Sequence, residues 1–125
     1  MKSLPENLIP RGHGWLLLIL LSMLLATGAH AESVRKIVQR GNAAYKSGNF
    51  DEAMKAYEEA EVDAPESAHL YFNKGAVLYQ TEDYEAAKRA FKQASLKSTY
   101  EGLAAKAEFS VGNCAFREAE RQRDS

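Results

Sequence analysis

The chain is short of the residues that staple, chelate or catalyse. It has a single cysteine in 125 residues, which excludes an intrachain disulfide and a cysteine-rich zinc site. It has three histidines, His13, His30 and His69. No Gly-rich phosphate loop, His-Glu-x-x-His or Cys-x-x-Cys motif is present. Charge of one sign is also missing: 16 basic against 17 acidic residues leave a net of −1, so no sequence-wide basic field exists to hold nucleic acid. What remains is ordinary. Hydrophobic residues make up 46% and charged residues 26%, close to an average soluble domain. Wholesale disorder, a collagen-like chain and a multipass membrane protein do not fit, and the length suits about one domain.

Long apolar runs are scarce too. The one such run, from Trp15 to Leu25, holds eleven residues without a charge. Lys2 and Arg11 precede it and Ala29-His30-Ala31 follows. A positive head, a short apolar stretch and an A-x-A end define a secretory signal peptide. At ~1.5 Å per residue the run falls well short of the ~30 Å hydrocarbon core. The expectation is a signal peptide over 1–31, cleaved after Ala31, with an uncleaved signal anchor as the alternative. A lipoprotein is disfavoured, because no cysteine lies near the cleavage point.

Beyond residue 31 the chain repeats with an offset of 34. Gly41 maps onto Gly75, Ala44 onto Leu78 and Tyr45 onto Tyr79. Phe50 maps onto Tyr84, Ala53 onto Ala87, Tyr57 onto Phe91 and Ala60 onto Ala94. Each unit reads as two helices. Ser33 suits an N-cap, and Ile37, Gly41, Ala44 and Tyr45 share one helical face. Gly48 suits a left-handed C-terminal residue. Asn49-Phe50-Asp51-Glu52 has the form of a capping box, with Ala53, Tyr57 and Ala60 as the buried stripe behind it. Pro65 ends the second helix by disfavouring helical geometry at Ala64. A mid-helix glycine costs ~1 kcal/mol relative to alanine, so Gly41 and Gly75 imply close approach between paired helices.

This pattern resembles the tetratricopeptide repeat family. The first unit supplies Ile37, Gly41, Tyr45, Ala53, Tyr57, Ala60 and Pro65, and the second supplies Tyr71, Gly75, Leu78, Ala87, Phe91 and Ala94. Arg40 and Lys74 stand at the usual leucine, and Thr99 at the usual proline. A third unit opens with Phe109-Ser-Val-Gly112-Asn113-Cys-Ala-Phe116, 37 residues after Gly75. The three extra residues are expected around 97–102. The resemblance implies an all-α, right-handed solenoid of antiparallel helix pairs. The expected domains are the signal peptide, repeats at 34–67 and 68–101, and a partial repeat or capping helix at 102–125. The last segment either covers the open end of the stack or belongs to a longer array.

The remaining reactive groups have plain readings. Cys114 aligns with Ala43 and Val77, small positions expected to be buried, so a core thiol is expected. His69 aligns with Arg35 and Lys106, a solvent-facing position. The acidic run from Glu58 to Asp63 lacks calcium-loop spacing. No catalytic, metal or cofactor-binding residue is expected, and no enzyme.

In the family, the first helix of each unit lines a concave groove. The resemblance therefore implies a partner-binding surface with one row of Val38, Phe72 and Phe109 and a second row of Tyr45, Tyr79 and Phe116, with packing between neighbouring helices, as core, the alternative for the second row. Asn42 and Asn113 lie between the rows, and Asn42 and Asn73 are placed to bond a peptide backbone. Phe72 and Phe109 are expected to be exposed. Some relatives clamp a C-terminal carboxylate with two lysines, two asparagines and an arginine. Here Asn42, Asn73 and Lys106 match, but Val38 and Ser110 replace two of the cations, so the clamp is rejected. The whole is expected to be an exported scaffold or assembly factor that binds a protein or peptide, with no nucleic acid and no membrane contact beyond the signal segment. It resembles bacterial envelope repeat proteins, loosely the aerotolerance-operon type. The alternative is the recruiting arm of a longer, possibly enzymatic, protein.

Overall fold

The computed structural model describes residues 33–125, together with Ser3. The export signal and the cleavage point at Ala31 lie outside the described residues. Among those described, every regular element is helical: α1 over 33–46, α2 Phe50–Asp63, α3 Ala68–Gln80, α4 Tyr84–Lys97 and α5 Glu101–Arg123. Connections of three or four residues force consecutive helices to run antiparallel.

The turns follow from backbone chemistry. At the end of α1 the Asn49 N–H donates to Ala44 O at 2.9 Å and the Gly48 N–H to Tyr45 O at 3.0 Å. That pair is a Schellman motif, and Gly48 sits at the left-handed position with φ 76°. The end of α3 repeats it, Asp83 N–H to Leu78 O and Glu82 N–H to Tyr79 O, with Glu82 at φ 63°.

The helix starts differ from expectation in two places. Ser33 is already helical, so it is not the cap of α1. Asn49 makes no side-chain capping bond, so no capping box closes there. Asp83, on nearly the same backbone, does accept from Ala86 N–H at 3.1 Å.

Two apolar clusters hold residues 34–125. The first gathers Ala53, Tyr57, Ala60, Leu70 and Val77, with Val38 and Tyr45 partly buried beside them. The second gathers Tyr84, Ala87, Phe91 and Cys114, with Phe72 and Tyr79 beside them. The alanine-aromatic-alanine stripes of α2 and α4 are thus the buried faces, as the sequence requires. Cys114 is fully buried, and burial raises its thiol pKa above the usual value, Glu118 adding to it. Ala43 is exposed instead of buried. Among the described residues no helix precedes α1, whereas Val77 and Cys114 pack against α2 and α4, the helices before theirs.

The glycines explain the close pairing. A Cβ on Gly41 would lie 2.6 Å from a Tyr57 ring carbon, and one on Gly75 would lie 2.8 Å from two Phe91 ring carbons. Each glycine is a socket for the aromatic ring of its paired helix. Ion pairs lie along the helix seams: Arg40–Glu59, Lys74–Glu61 at 2.6 Å, Lys97–Glu66 and Lys88–Glu118 at 2.7 Å. The acidic run of α2 is thereby partly spent on neighbouring helices.

The three extra residues of the third unit do not lengthen a loop. Only 98–100 separate α4 from α5, and the addition appears as one more helical turn before Gly112. Past Phe116, α5 continues to Arg123 where α1 and α3 turn. The added turns fold back on the α3–α4 corner. Arg117 donates to the Tyr84 hydroxyl at 3.3 Å, Arg121 lies 5.2 Å from the Tyr84 ring centre, and Arg121 pairs with Glu82 at 3.0 Å.

Candidate functional site: a cleft floored by paired asparagines

The first helices of the units bring together Asn42, Tyr45 and Lys46 from α1 with Asn73 and Ala76 from α3. They line a cleft of about 160 Å³ whose wall is Tyr57. A second cleft of about 190 Å³ adjoins it, with Phe72, Tyr79 and Gln80 from α3 and Ser110 and Asn113 from α5. Tyr45 and Ala76 line both.

The floor of the first cleft is polar and ordered. The Tyr57 hydroxyl donates to Asn42 Oδ1 at 2.8 Å, and Asn73 Nδ2 donates to the same oxygen at 3.4 Å. The asparagines expected to bond a peptide are thus also bonded to each other, across two successive repeats. With Asn42 Oδ1 accepting twice, the amide N–H of Asn42 and the carbonyl of Asn73 remain at the cleft. An amide donor and an amide acceptor are the groups that pair with the C=O and N–H of an extended backbone. Burial pushes the Tyr57 hydroxyl pKa up, helped by Tyr45, so the phenol stays a donor.

The two expected aromatic rows divide. Tyr45 and Tyr79 are half-buried and meet the first aromatic of the next helix edge-on, Phe50 at 5.6 Å and Tyr84 at 5.3 Å. Val38 is partly buried against the first cluster. Phe72 is not the exposed ring expected. It packs on Phe91 with ring centres 5.2 Å apart, and Lys106 lies 5.0 Å above it. Its face turns toward the paired helix because Gly75, one turn on, lets that helix approach. Phe109 and Phe116 are 71% and 63% exposed and do not line either cleft. Asn113 does.

Tyr57, expected only as core, also brings its hydroxyl to the cleft. A tyrosine where the second unit has Phe91 is the available signal, since a buried phenol needs a partner. Among the described residues no group of three or more His, Cys, Asp or Glu is placed to hold a metal ion, and His69 is exposed.

Comparison with protein families agrees with this geometry. A tetratricopeptide repeat model matches residues 38–94, running from within α1 through most of α4. The glycine sockets, the alanine-aromatic-alanine stripes and the antiparallel pairs all fall within that span or extend it, and residues 38–94 are a tetratricopeptide repeat.

Proposed function

We propose that this is an exported interaction module of the bacterial cell envelope, a scaffold or assembly factor whose cleft holds an extended segment of a partner protein. At the coarse level, tetratricopeptide repeats are protein-interaction modules and are generally non-catalytic. The finer reading rests on one observation, the bonded Asn42–Asn73 pair that lines the cleft. Export rests on the positive head, short apolar run and A-x-A end of residues 1–31. Among the described residues no helix is long and apolar enough to cross a membrane.

A peptide-display selection tests the cleft. Peptides enriched on the protein should lose at least tenfold in affinity for Ala76→Arg, since Ala76 lines both clefts. Asn73→Ala should weaken them less. Peptides that bind parent and Ala76→Arg equally would remove the cleft from the reading. N-terminal sequencing from a secreting host should give Glu32.

A further inference from the structure

Charge is divided unevenly between the helices. Residues 33–46 of α1 include four basic residues and no acidic one, and α3 has Lys74 and His69 and no acidic residue. The helix between them, α2, has six acidic residues and one lysine. Among the described residues no carboxylate lines either cleft. The lysines differ in the same way. Lys74, Lys88 and Lys97 are spent on ion pairs along the helix seams. Lys46 lines the first cleft, is exposed and makes no ion pair among the described residues. A charge held at a cleft without a counter-charge draws one from outside.

The second cleft has another chemistry. Tyr45, Phe72, Tyr79 and Phe91 give it aromatic walls, and its polar residues are uncharged. At about 190 Å³ it admits one large side chain. Lys106 lies 5.0 Å above the Phe72 ring, so a positive charge already stands over this wall and a second would be repelled. A neutral apolar or aromatic side chain is what fits. Tyr45 and Ala76 line both clefts, so the two sites are neighbours. Side chains two residues apart on an extended strand, about 6.6 Å, point to the same side.

Resting on the reading of the clefts as a peptide site, we infer that Lys46 sets its specificity: the segment held there has a large apolar side chain in the second cleft and, two residues away, an aspartate or glutamate whose carboxylate meets Lys46. The carboxylate is that of a side chain and not of a chain end. Asn42 stands one helical turn before Lys46 on the wall of the same cleft, so a strand bonded to the amide runs on past the lysine.

Peptides enriched on the parent protein by display give the first readout. They should share a large apolar residue with Asp or Glu two positions before or after it, and enrichment without that acid would overturn the inference. One such peptide, synthesised with both ends blocked, is then titrated into the protein by fluorescence anisotropy. Its affinity should fall about threefold for Lys46→Ala, as an exposed ion pair allows. It should fall at least tenfold for Lys46→Glu, where repulsion replaces attraction, and hold for Lys46→Arg. A peptide with lysine in place of its acid should recover binding to Lys46→Glu. Lys46 is exposed, so helical circular dichroism should not change in these variants. A peptide that binds only with its C-terminus free would overturn the side-chain assignment in favour of a terminal carboxylate. Peptides that lose affinity for Ala76→Arg yet bind parent and Lys46→Glu equally would overturn the inference and leave the cleft in place. Enrichment of no peptide at all would overturn both, as it would if another stretch of the chain already filled the cleft.

Discussion

Three glycines at one repeat position should answer alanine with opposite signs. At Gly75 a Cβ would stand 2.8 Å from Cδ1 and Cε1 of Phe91 and 3.0 Å from Cγ. An ordinary contact is nearer 3.4–4 Å, so the ring would have to retreat by roughly half an ångström or more. It has little room: Phe91 is 3% exposed and backed by Phe72. Overpacking of this kind costs about 1–3 kcal/mol, and the helix propensity gained offsets ~1 kcal/mol. Gly75→Ala should therefore lose up to about 2 kcal/mol net. Gly41→Ala meets a Tyr57 carbon at 2.6 Å and should behave alike. Gly112→Ala meets nothing and should gain about 1 kcal/mol. For a domain of this size 1 kcal/mol moves the melting point by roughly 4–8 °C. Thermal melts followed by circular dichroism would resolve both signs. A Gly75→Ala protein melting at or above the parent, or a Gly112→Ala protein melting below it, would refute the socket reasoning.

Two further outcomes follow from the turns and the ion pairs. Glu82 holds a left-handed backbone at φ 63°, which costs a residue with a side chain roughly 1–2 kcal/mol, against about 0.2–1 kcal/mol from its exposed pair with Arg121. Glu82→Gly should thus melt several degrees higher, and a lower melting point would count against the strain. Burial raises the Glu61 pKa, but the bonds from Lys74 and Tyr71 outweigh it and hold the carboxyl below its ordinary 4.5. Its stabilisation is therefore present above about pH 4.5 and is lost as pH falls through the lower folded value. The melting-point gap between parent and Glu61→Gln should be widest at neutral pH and close in acid. A gap that widened on acidification would reverse the assignment.

Much of the architecture was legible because it rests on periodicity. The 34-residue offset placed both buried stripes and the glycine sockets, turn chemistry placed the left-handed Gly48, and the 37-residue step to the third unit placed the buried Cys114. What escaped depends on the third dimension. Phe72 follows the same helical spacing whether it stands exposed or packs on a paired helix, and the approach allowed by Gly75 gives it Phe91 to pack on while it still lines the second cleft. The bond from Tyr57 to Asn42 spans two helices, and no local spacing announces it. The missing side-chain cap at Asn49 is not announced by a motif whose counterpart, Asp83, caps on nearly the same backbone. The three extra residues before Gly112 resemble a loop in an alignment, yet one additional turn of α5 absorbs them with little change of face.

The division of the interior into two clusters has a kinetic consequence. A stack whose elements touch mainly their neighbours opens by parts, with each part at its own free energy. The protein's one thiol lies in the cluster around Phe91 and is fully buried there. Unzipping of α1 and α2 would leave it silent, whereas release of α5 from α4 would uncover it. The rate at which a thiol reagent labels the native protein therefore clocks the C-terminal opening alone. Amide hydrogen exchange along α2 would time the other half in the same sample.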